Sequence, residues 1–221
     1  MKISAFIPIK LNNERFPNKN LKRFDDGTPL IHLVQKTLLK VGLLDDIYIF
    51  CSDDSIQEYV LNGIKYLKRP KYLDESKTLA NELVKEFVAA VPSDIYVMAH
   101  APTPFVTVET YHKCIEKVKT GEYNSALAVK RLQKFMWFKG KPLNYDIRNI
   151  PRTQDMEPIF MEAISPYVFT NGVFEEFNGR VDEKPYMCEC SDIEATDIDY
   201  PEEFIISNAI YMSLLKDQMF K

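Results

Sequence analysis

Strand-like and helix-like segments alternate along the first 129 residues of the chain. Apolar runs predict strands at residues 3–9, 47–51, 64–67, 94–99 and 125–129. Helical spacing of apolar residues lies between them, at residues 30–41, 55–61, 79–91 and 108–118. Strands that alternate with helices form parallel sheets covered on both faces. We therefore predict an α/β fold: a single domain with a mostly parallel, Rossmann-like sheet and helices on both faces.

The alternation stops after residue 129. Strands are predicted at residues 164–169 and 186–190, a short helix at 173–177 and a long amphipathic helix at 202–216. The aromatic run from Phe135 to Phe138 either packs onto the core or is buried against a second subunit. We take residues 1–221 as one domain, with residues 131–165 as a small excursion that forms a homodimer interface or contacts the sugar side of the site.

The loop after the first strand is strongly basic. Between residues 10 and 23 it carries five cations and one acid, Glu14, although the whole chain has a net charge of −4. The carboxyl ends of strands are where open α/β sheets bind ligands. A positive pocket on an acidic protein suits a small polyanion, whereas nucleic acid would require a basic stripe, which the sequence lacks. The alternative is a solvated loop whose charges have no function.

Other classes of protein are disfavoured by composition. No run of about 18 apolar residues is present to span a membrane, and the amino terminus lacks the features of a signal peptide. The four cysteines are uneven in spacing, and we expect reduced thiols in a cytoplasmic protein. The glycine-rich phosphate loops are also missing.

Two aspartates near the carboxyl terminus form a candidate metal site. Asp197 and Asp199 are two residues apart on a predicted strand end, so their carboxylates should point the same way. Two hard oxygen ligands beside a phosphate pocket suit Mg²⁺. In the alternative interpretation Asp199 only caps the following helix, but capping does not explain Asp197.

Residues 7–20 resemble a known signature. Ile7-Pro8-Ile9-Lys10, followed by Asn13, Arg15, Pro17, Lys19 and Asn20, resembles the I-P-A-R-x-x-S-K-R-x-P-x-K-N motif of cytidylyltransferases that activate nine-carbon acidic sugars. This is the acylneuraminate cytidylyltransferase (CMP-sialic acid synthetase) family, with 3-deoxy-manno-octulosonate enzymes as cousins. Further similar motifs follow in family order: Gly27-Thr-Pro-Leu-Ile31, Cys51-Ser-Asp-Asp54, Arg69-Pro70, Pro104, Arg152-Thr-Gln154-Asp155 and Asp197-Ile-Asp199.

The resemblance implies a role for individual residues. Lys19 would steady the α-phosphate, and Lys19 and Asp199 would be the catalytic pair. Gln154 and Tyr167 fall where the sugar acid is held, and Asp197 and Asp199 stand at the Mg²⁺-binding aspartates. The implied nucleotide-binding residues are Lys10, Asn13, Arg15, Asn20, Arg69 and His100.

The chain also departs from the family pattern. Lys10 replaces an arginine, so the bidentate fork is lost while the charge remains. Glu14 replaces a phosphate-binding lysine and reverses a charge, so we expect it to be paired, with Arg15, Arg23 or a Mg²⁺ ion held by the β- and γ-phosphates as its partner. His100 replaces a base-reading glutamine. The octulosonate branch has a metal-binding aspartate where this chain has Pro102, which favours the sialic branch.

The resemblance therefore implies transfer of CMP from CTP to a nonulosonic (sialic-acid-like) sugar acid, with Mg²⁺ as cofactor and pyrophosphate as the other product. The expected partners are CTP, a sugar acid and a second copy of the chain, with neither nucleic acid nor membrane. Two alternatives stay open: a CMP-octulosonate synthetase, and a relative that binds nucleotide without catalysis, which Glu14 keeps in view.

Overall fold

Seven strands form one central sheet in the computed structural model of this chain, which describes residues 1–215. Within those residues the strands are β1 (Ile3–Ile9), β2 (Asp46–Cys51), β3 (Lys65–Lys68), β4 (Ile95–Met98), β5 (Ser125–Leu132), β6 (Trp137–Phe138), β7 (Lys141–Pro142), β8 (Ile159–Thr170) and β9 (Tyr186–Glu189). The α-helices are α1 (Leu30–Lys40), α2 (Ala80–Ala90), α3 (Val108–Lys119), α4 (Asn171–Phe177) and α5 (Pro201–Ile210).

The described strands of the sheet run in one direction apart from β8. Their order is β3-β2-β1-β4-β8-β5-β9, with β8 antiparallel to β4 and to β5, and β9 parallel to β5. β1 lies in the middle of the parallel part and is buried along its length. Burial from both faces explains its continuous apolar sequence. The predicted single α/β domain with a mostly parallel sheet is confirmed.

Helices cover both faces of the sheet. One core cluster packs the apolar sides of α1 and α3 against the sheet, through Ile31, Val34, Ile115 and others. The opposite face packs against α2, with Phe87 stacked on Phe6 at 4.1 Å between ring centroids. This arrangement leaves the carboxyl ends of β1, β2 and β4 at one open edge.

A third apolar cluster fixes the loops above that edge. Phe16 from the basic loop and Ile198 from the segment before α5 are both buried in it. Phe24 stacks on Phe204 of α5, with 5.2 Å between ring centroids. The basic loop and the two candidate metal aspartates are thus held together by one small core.

Several predicted elements differ from the structure. Residues 55–61 were predicted as a helix, but Asp54–Tyr59 is a 3₁₀ helix. The predicted strand at 164–169 is part of the longer Ile159–Thr170, which pairs with β5 through a register shift. The last helix is α-helical only over Pro201–Ile210 and continues as a π-helix over Tyr211–Leu215; the predicted end at Lys216 lies outside the described residues. Within residues 1–215, no helix has the length and apolarity needed to cross a bilayer.

The excursion leaves the sheet between β5 and β8, inside the predicted range 131–165. The short hairpin of β6 and β7 lies there. The Asn144 side chain fixes the base of the hairpin, because it accepts a hydrogen bond from the Met136 N–H and donates one to the Lys134 carbonyl, both at 2.9 Å. Trp137 and Phe138 are 61% and 60% exposed. The aromatic run is therefore not packed onto the core of its own subunit, and the homodimer stays a prediction. The other exposed apolar residues nearby are Phe135, Leu143, Ile147, Ile150, Phe160 and Met161.

Candidate active site

The basic loop has a defined conformation, although Arg15, Lys22 and Arg23 in it are exposed. Its 3₁₀ turn Lys19–Leu21 follows Asn18, which adopts the left-handed conformation (φ 56°) that asparagine tolerates. The Lys19 N–H donates to the Phe16 carbonyl at 3.1 Å. The Asn20 side-chain amide donates to the Lys10 carbonyl at 3.0 Å, which ties the turn to the end of β1. Lys19 and Asn20 are buried as a result.

The Asp199 carboxylate forms ion pairs with two cations of this loop. Lys19 Nζ lies 2.9 Å from Asp199 Oδ1, and Arg15 Nη1 lies 2.8 Å from Asp199 Oδ2. The two cations differ in burial, since the Lys19 side chain is 9% exposed and that of Arg15 is 57% exposed. Arg15 also lies 5.4 Å from the centroid of the Tyr200 ring, and contacts with Tyr200 and then with Asp199 raise the Arg15 pKa.

The segment that carries the two aspartates is irregular, so the predicted strand end is wrong. Ile198 anchors the segment instead, because its side chain is buried and its N–H donates to the Pro102 carbonyl at 3.0 Å. The two carboxylates are still neighbours. Burial, and then the charge of Asp199, raise the pKa of Asp197 to about 6. The charge of Asp199 thus disfavours the ionised form of Asp197, and a bound cation would relieve this effect.

Asp199 does not cap α5, so the capping alternative is wrong. The N-cap residue is Tyr200, and the Glu203 carboxylate accepts from the backbone N–H groups of Asp199 and Tyr200 at 2.6 and 2.8 Å. A glutamate at the third position of a helix commonly performs this role. The Asp199 side chain is therefore left to interact with Lys19 and Arg15.

A cavity of about 250 Å³, here called the Arg69 cavity, opens beside this ion-pair cluster. Among the described residues, five buried side-chain polar atoms lack a hydrogen-bond partner, and four of them belong to residues that line this cavity. These atoms are Asn13 Oδ1, Asn20 Oδ1, Arg69 Nε and His100 Nδ1. Buried polar groups are nearly always hydrogen-bonded, so such a concentration indicates groups that a ligand would satisfy.

A second cavity of about 270 Å³, the Asp199 cavity, adjoins the first. Lys10, Asn13, Lys19 and Ser76 line both cavities, so the two form one continuous site. Arg15 also lines the Asp199 cavity, which thus brings three cations to one wall. Lys10, Lys19 and Arg69 line the Arg69 cavity together with Glu75, so both parts of the site carry more cations than acids.

Arg69 is oriented by the chain around it. It is 4% exposed, and its Nη2 donates to Asp74 Oδ1 at 2.5 Å. Asp74 is fixed in turn by Ser52 Oγ, which donates to its other oxygen at 2.5 Å. Lys10 Nζ donates to the Asp74 carbonyl at 3.2 Å, so one residue positions both cations. Asp74 was not among the residues predicted from the sequence, although its place between β3 and α2 at the open edge was a usable signal.

A third and larger cavity, of about 700 Å³, includes Asp74 in its lining. Asp53, Asp54, Asp74 and Glu75 line it, with Lys71 as the cation. Such an acidic lining repels a polyanion, so the two smaller cavities are the better candidate site.

A family model described as cytidylyltransferase matches residues 4–161, a range that includes the basic loop, Arg69 and His100. The chain belongs to the cytidylyltransferase family.

Individual cytidylyltransferases resemble the chain more weakly. It is 24% identical over 184 residues to N-acylneuraminate cytidylyltransferase of Oncorhynchus mykiss, covering 78% of this chain and 42% of that protein. It is 28% identical over 117 residues to 3-deoxy-manno-octulosonate cytidylyltransferase of Pelobacter propionicus, covering 52% of this chain and 44% of that protein. The chain thus spans less than half the length of these curated relatives.

Solved structures show the same fold. The structure of CMP:2-keto-3-deoxy-manno-octonic acid synthetase complexed with CTP matches with a TM-score of 0.73 at 13% identity, covering 96% of this chain and 99% of that one. The 4-diphosphocytidyl-2C-methyl-D-erythritol synthase of Anaerococcus prevotii matches with a TM-score of 0.68 at 16% identity, covering 96% of both chains. At these identities the likeness extends to the fold alone.

Within this cytidylyltransferase fold, two predicted residues lie off the two cavities. Gln154 is on the exposed 3₁₀ turn Thr153–Asp155 of the excursion. Tyr167 is 1% exposed, and its hydroxyl donates to Glu162. The Arg180 guanidinium lies 3.8 Å from the centroid of the Tyr167 ring. The centroids of the Tyr167 and His100 rings are 6.3 Å apart. Their assignment to the sugar acid stays a prediction.

Glu14 lies on the wall of the Asp199 cavity and is exposed. Among residues 1–215, no cationic group lies within 4 Å of its carboxylate. The expected protein partners are engaged elsewhere, because Arg15 pairs with Asp199 and Arg23 donates to the Gly27 carbonyl at 2.8 Å. The idea that one of these arginines neutralises Glu14 is therefore wrong.

The candidate Mg²⁺ site consists of few protein groups. In the described part of the chain, no group of three or more histidine, cysteine or acidic side chains could hold a metal ion. The pair Asp197 and Asp199 still fits Mg²⁺, which typically takes one or two carboxylates and completes its shell with water and substrate phosphate.

Proposed function

We propose that this chain transfers CMP from CTP to a nonulosonic, sialic-acid-like sugar acid and releases pyrophosphate. The observation that carries the proposal is the set of four unpartnered polar atoms around the Arg69 cavity, next to a cavity that three cations line. A nucleoside triphosphate has the matching composition: a polar nucleoside joined to a compact polyanion.

In this proposal the cytidine occupies the Arg69 cavity. Asn13 Oδ1 and Asn20 Oδ1 are hydrogen-bond acceptors without partners, which suits ribose hydroxyl donors. Arg69 and His100 supply the groups for the base. The triphosphate then extends into the Asp199 cavity toward Lys10, Arg15 and Lys19.

The proposed reaction needs positioning and charge stabilisation more than covalent help from the protein. A hydroxyl oxygen of the acid forms a bond to the α-phosphorus while the bond from that phosphorus to the bridging oxygen breaks. Pyrophosphate leaves with both electrons of the broken bond, and the proton of the hydroxyl passes to solvent. Lys19 is nearly buried and fixed by Asp199, so its ammonium group is pre-organised to stabilise the α-phosphate oxygens. Arg15 is exposed and can follow the leaving pyrophosphate.

Asp197 and Asp199 would hold Mg²⁺, which when bound offsets negative charge on the phosphates. Because Arg15 and Lys19 both contact Asp199, the phosphates would have to attract these cations before Asp199 could serve as a ligand. Asp199 therefore has two roles in the proposal, since it also positions Lys19.

The identity of the acid is the less supported part. The name of the Oncorhynchus mykiss relative favours an N-acylneuraminate-like acid. The Pelobacter propionicus relative favours a 3-deoxy-manno-octulosonate acceptor as the second candidate. Pro102 lines the Arg69 cavity, so the aspartate expected of the octulosonate branch is missing from this wall, which supports the first candidate.

The excursion supports the further proposal of a homodimer. Its exposed Trp137 and Phe138 are flanked by exposed apolar residues, a composition enriched at subunit interfaces. All four cysteines are free thiols, as expected of the reduced form. We propose a cytoplasmic location because CTP, the proposed substrate, is a cytoplasmic nucleotide.

A screen for pyrophosphate release tests this function. The chain is incubated with CTP, Mg²⁺ and each of a panel of nonulosonic and octulosonic acids, with Asp199→Asn as the inactive control. Release with at least one nonulosonic acid is the expected result. If CTP binds but no acid yields pyrophosphate, the relative that binds nucleotide without catalysis is the correct alternative.

A further inference from the structure

Three of the four cysteines lie close together beside the last strand of the sheet, and none of the three lines the Arg69 or the Asp199 cavity. Cys114 is on α3 and Cys188 is on the edge strand β9, and both belong to the core cluster that packs α3 against the sheet. They are 0% and 2% exposed, and their thiols are hydrogen-bonded to each other. Cys190 follows β9 and is partly exposed.

The backbone geometry selects Cys114, rather than Cys190, as the partner of Cys188. The Cys190 N–H donates to the Val129 carbonyl at 2.9 Å, so the extended pairing with β5 continues through Cys190. Residues two apart on an extended chain are separated by about 6.6 Å and point to the same face. A disulfide requires Cβ atoms about 3.5–4.5 Å apart. Cys188 and Cys190 therefore cannot be joined without a change of backbone, whereas Cys188 and Cys114 are already in contact.

The surroundings of the three thiols give them different reactivity. The hydrogen bond with Cys114 lowers the pKa of Cys188, and the charge of Lys113 acts in the same direction, against burial. The same hydrogen bond, and then burial, raise the pKa of Cys114. Because the thiolate is the nucleophile, Cys188 is the attacking thiol of the pair and Cys114 keeps its proton. Burial raises the pKa of Cys190 to about 11, so that the most accessible thiol of the three stays protonated.

A cavity gives a small reagent a route toward the buried Cys188. This cavity, of about 420 Å³, lies on α3 and β9, and Lys113 and Tyr186 are among the residues that line it. Tyr186 also forms a hydrogen bond with Cys188 and is only partly buried. A reagent of a few heavy atoms in this cavity therefore meets a side chain that touches the Cys188 sulfur.

We propose that Cys188 and Cys114 form a peroxide-sensitive thiol pair, which closes to a reversible disulfide between α3 and β9. First, the Cys188 sulfur bonds to one oxygen of a hydroperoxide while the O–O bond breaks, which gives a sulfenic acid. The other oxygen leaves with both electrons of that bond and takes the proton that Cys188 has lost, as an alcohol or water.

The second step closes the disulfide. The Cys114 sulfur bonds to the Cys188 sulfur while the S–O bond of the sulfenic acid breaks. The hydroxide that leaves takes the Cys114 proton and becomes water. The two thiols have then lost two electrons in total, which the peroxide has gained, and an external dithiol can reverse the change.

Peptide mapping of the wild-type chain by mass spectrometry tests the pairing without any variant. The full chain is treated with a small excess of hydrogen peroxide, the remaining thiols are alkylated after denaturation, and the digest is analysed without reduction. We expect one disulfide within the chain, between the Cys114 and Cys188 peptides, while Cys51 and Cys190 are recovered in alkylated form. Dithiothreitol added after the peroxide should return both cysteines to thiols.

Three serine variants separate the roles of the thiols. Cys188→Ser should abolish the disulfide and leave Cys114 reduced, because the attacking thiol is gone. Cys114→Ser should leave Cys188 without a resolving partner, so that its peptide gains one or more oxygen atoms. Cys190→Ser is the matched control and should form the disulfide at the wild-type rate.

Three results would overturn this inference: a disulfide that joins Cys188 to Cys190, a disulfide that joins two copies of the chain, and a wild-type pair that stays reduced under peroxide until the protein is unfolded. The inference does not depend on the proposed function, so none of these results bears on cytidylyl transfer.

Discussion

Replacing Asp199 by asparagine should damage stability as well as catalysis. The carboxylate compensates two cations, and they lie in different environments: the Lys19 side chain is 9% exposed and the Arg15 side chain is 57% exposed. Asparagine has almost the same shape as aspartate but no charge. The change therefore leaves the nearly buried ammonium of Lys19 without a counter-charge, while Arg15 can turn into water.

The size of the effect follows from this burial. Removing one partner of a fully buried ion pair costs about 3–5 kcal/mol. Asp199 is 29% exposed, so solvent screens part of the interaction and we expect about 1–3 kcal/mol here. A domain of this size has a free energy of unfolding of about 5–15 kcal/mol, so the variant should still fold.

Urea unfolding measures the change, with Arg15→Gln as the matched control for the other half of the cluster. Arg15→Gln should cost less than about 0.5 kcal/mol because the arginine is mostly in solvent. Adding Lys19→Met to Asp199→Asn should recover much of the lost stability, since it removes the uncompensated charge. Pyrophosphate release should be lost in every variant that lacks Asp199.

Two results would refute this reasoning. One is a free energy of unfolding of Asp199→Asn equal to that of wild type. The other is an Asp199→Asn variant that Lys19→Met fails to relieve, because the loss would then not arise from an unpaired Lys19.

Three further predictions concern other parts of the molecule. Burial raises the pKa of Glu194, but hydrogen bonds from Thr110 and Thr107 outweigh it and lower the pKa below its ordinary 4.5. The contribution of the ionised Glu194 to stability is thus complete above about pH 4.5 and is lost as the pH falls further. Glu194→Gln should therefore flatten the pH dependence of the free energy of urea unfolding between about pH 5 and pH 3. An unchanged pH profile would contradict this role of Glu194. Wild-type protein should scatter light as a dimer and Trp137→Glu as a monomer of similar stability, and a monomeric wild type would exclude the interface. Glu14 lacks a cationic partner in the described part of the chain, so Glu14→Lys should tighten CTP binding by about 2- to 10-fold at low salt; a fall in turnover without tighter binding would instead mean that Glu14 helps to hold the metal.

Much of the fold could be predicted because its signals are local. The apolar run of β1 and the helical spacing of α1 are dictated by burial against the sheet, and both appear in the sequence at nearly their observed bounds. The basic loop was recognisable because its charges follow directly after β1, and parallel topology then fixes the edge at which they lie.

The site itself depends on contacts that sequence does not contain. The sequence pattern around Asp197 and Asp199 predicts a strand end, but the segment is irregular. It is held in place by Ile198, which packs in a small core assembled from distant segments. Glu203 as the capping group was within reach of local rules. The lowered pKa of His100 was not, because it arises from burial and from the charge of Arg180, 80 residues further along the chain.

The most direct test of the central claim follows the α-phosphorus of CTP. The chain is incubated with Mg²⁺, a nonulosonic acid and CTP labelled at either the α- or the γ-phosphorus, and the products are separated. Cytidylyl transfer predicts that the α-label appears in a new sugar-linked product while the γ-label appears in pyrophosphate. If the α-label stays in CTP with every acid tested, or never becomes attached to the sugar, the account of this site as a cytidylyltransferase centre is contradicted.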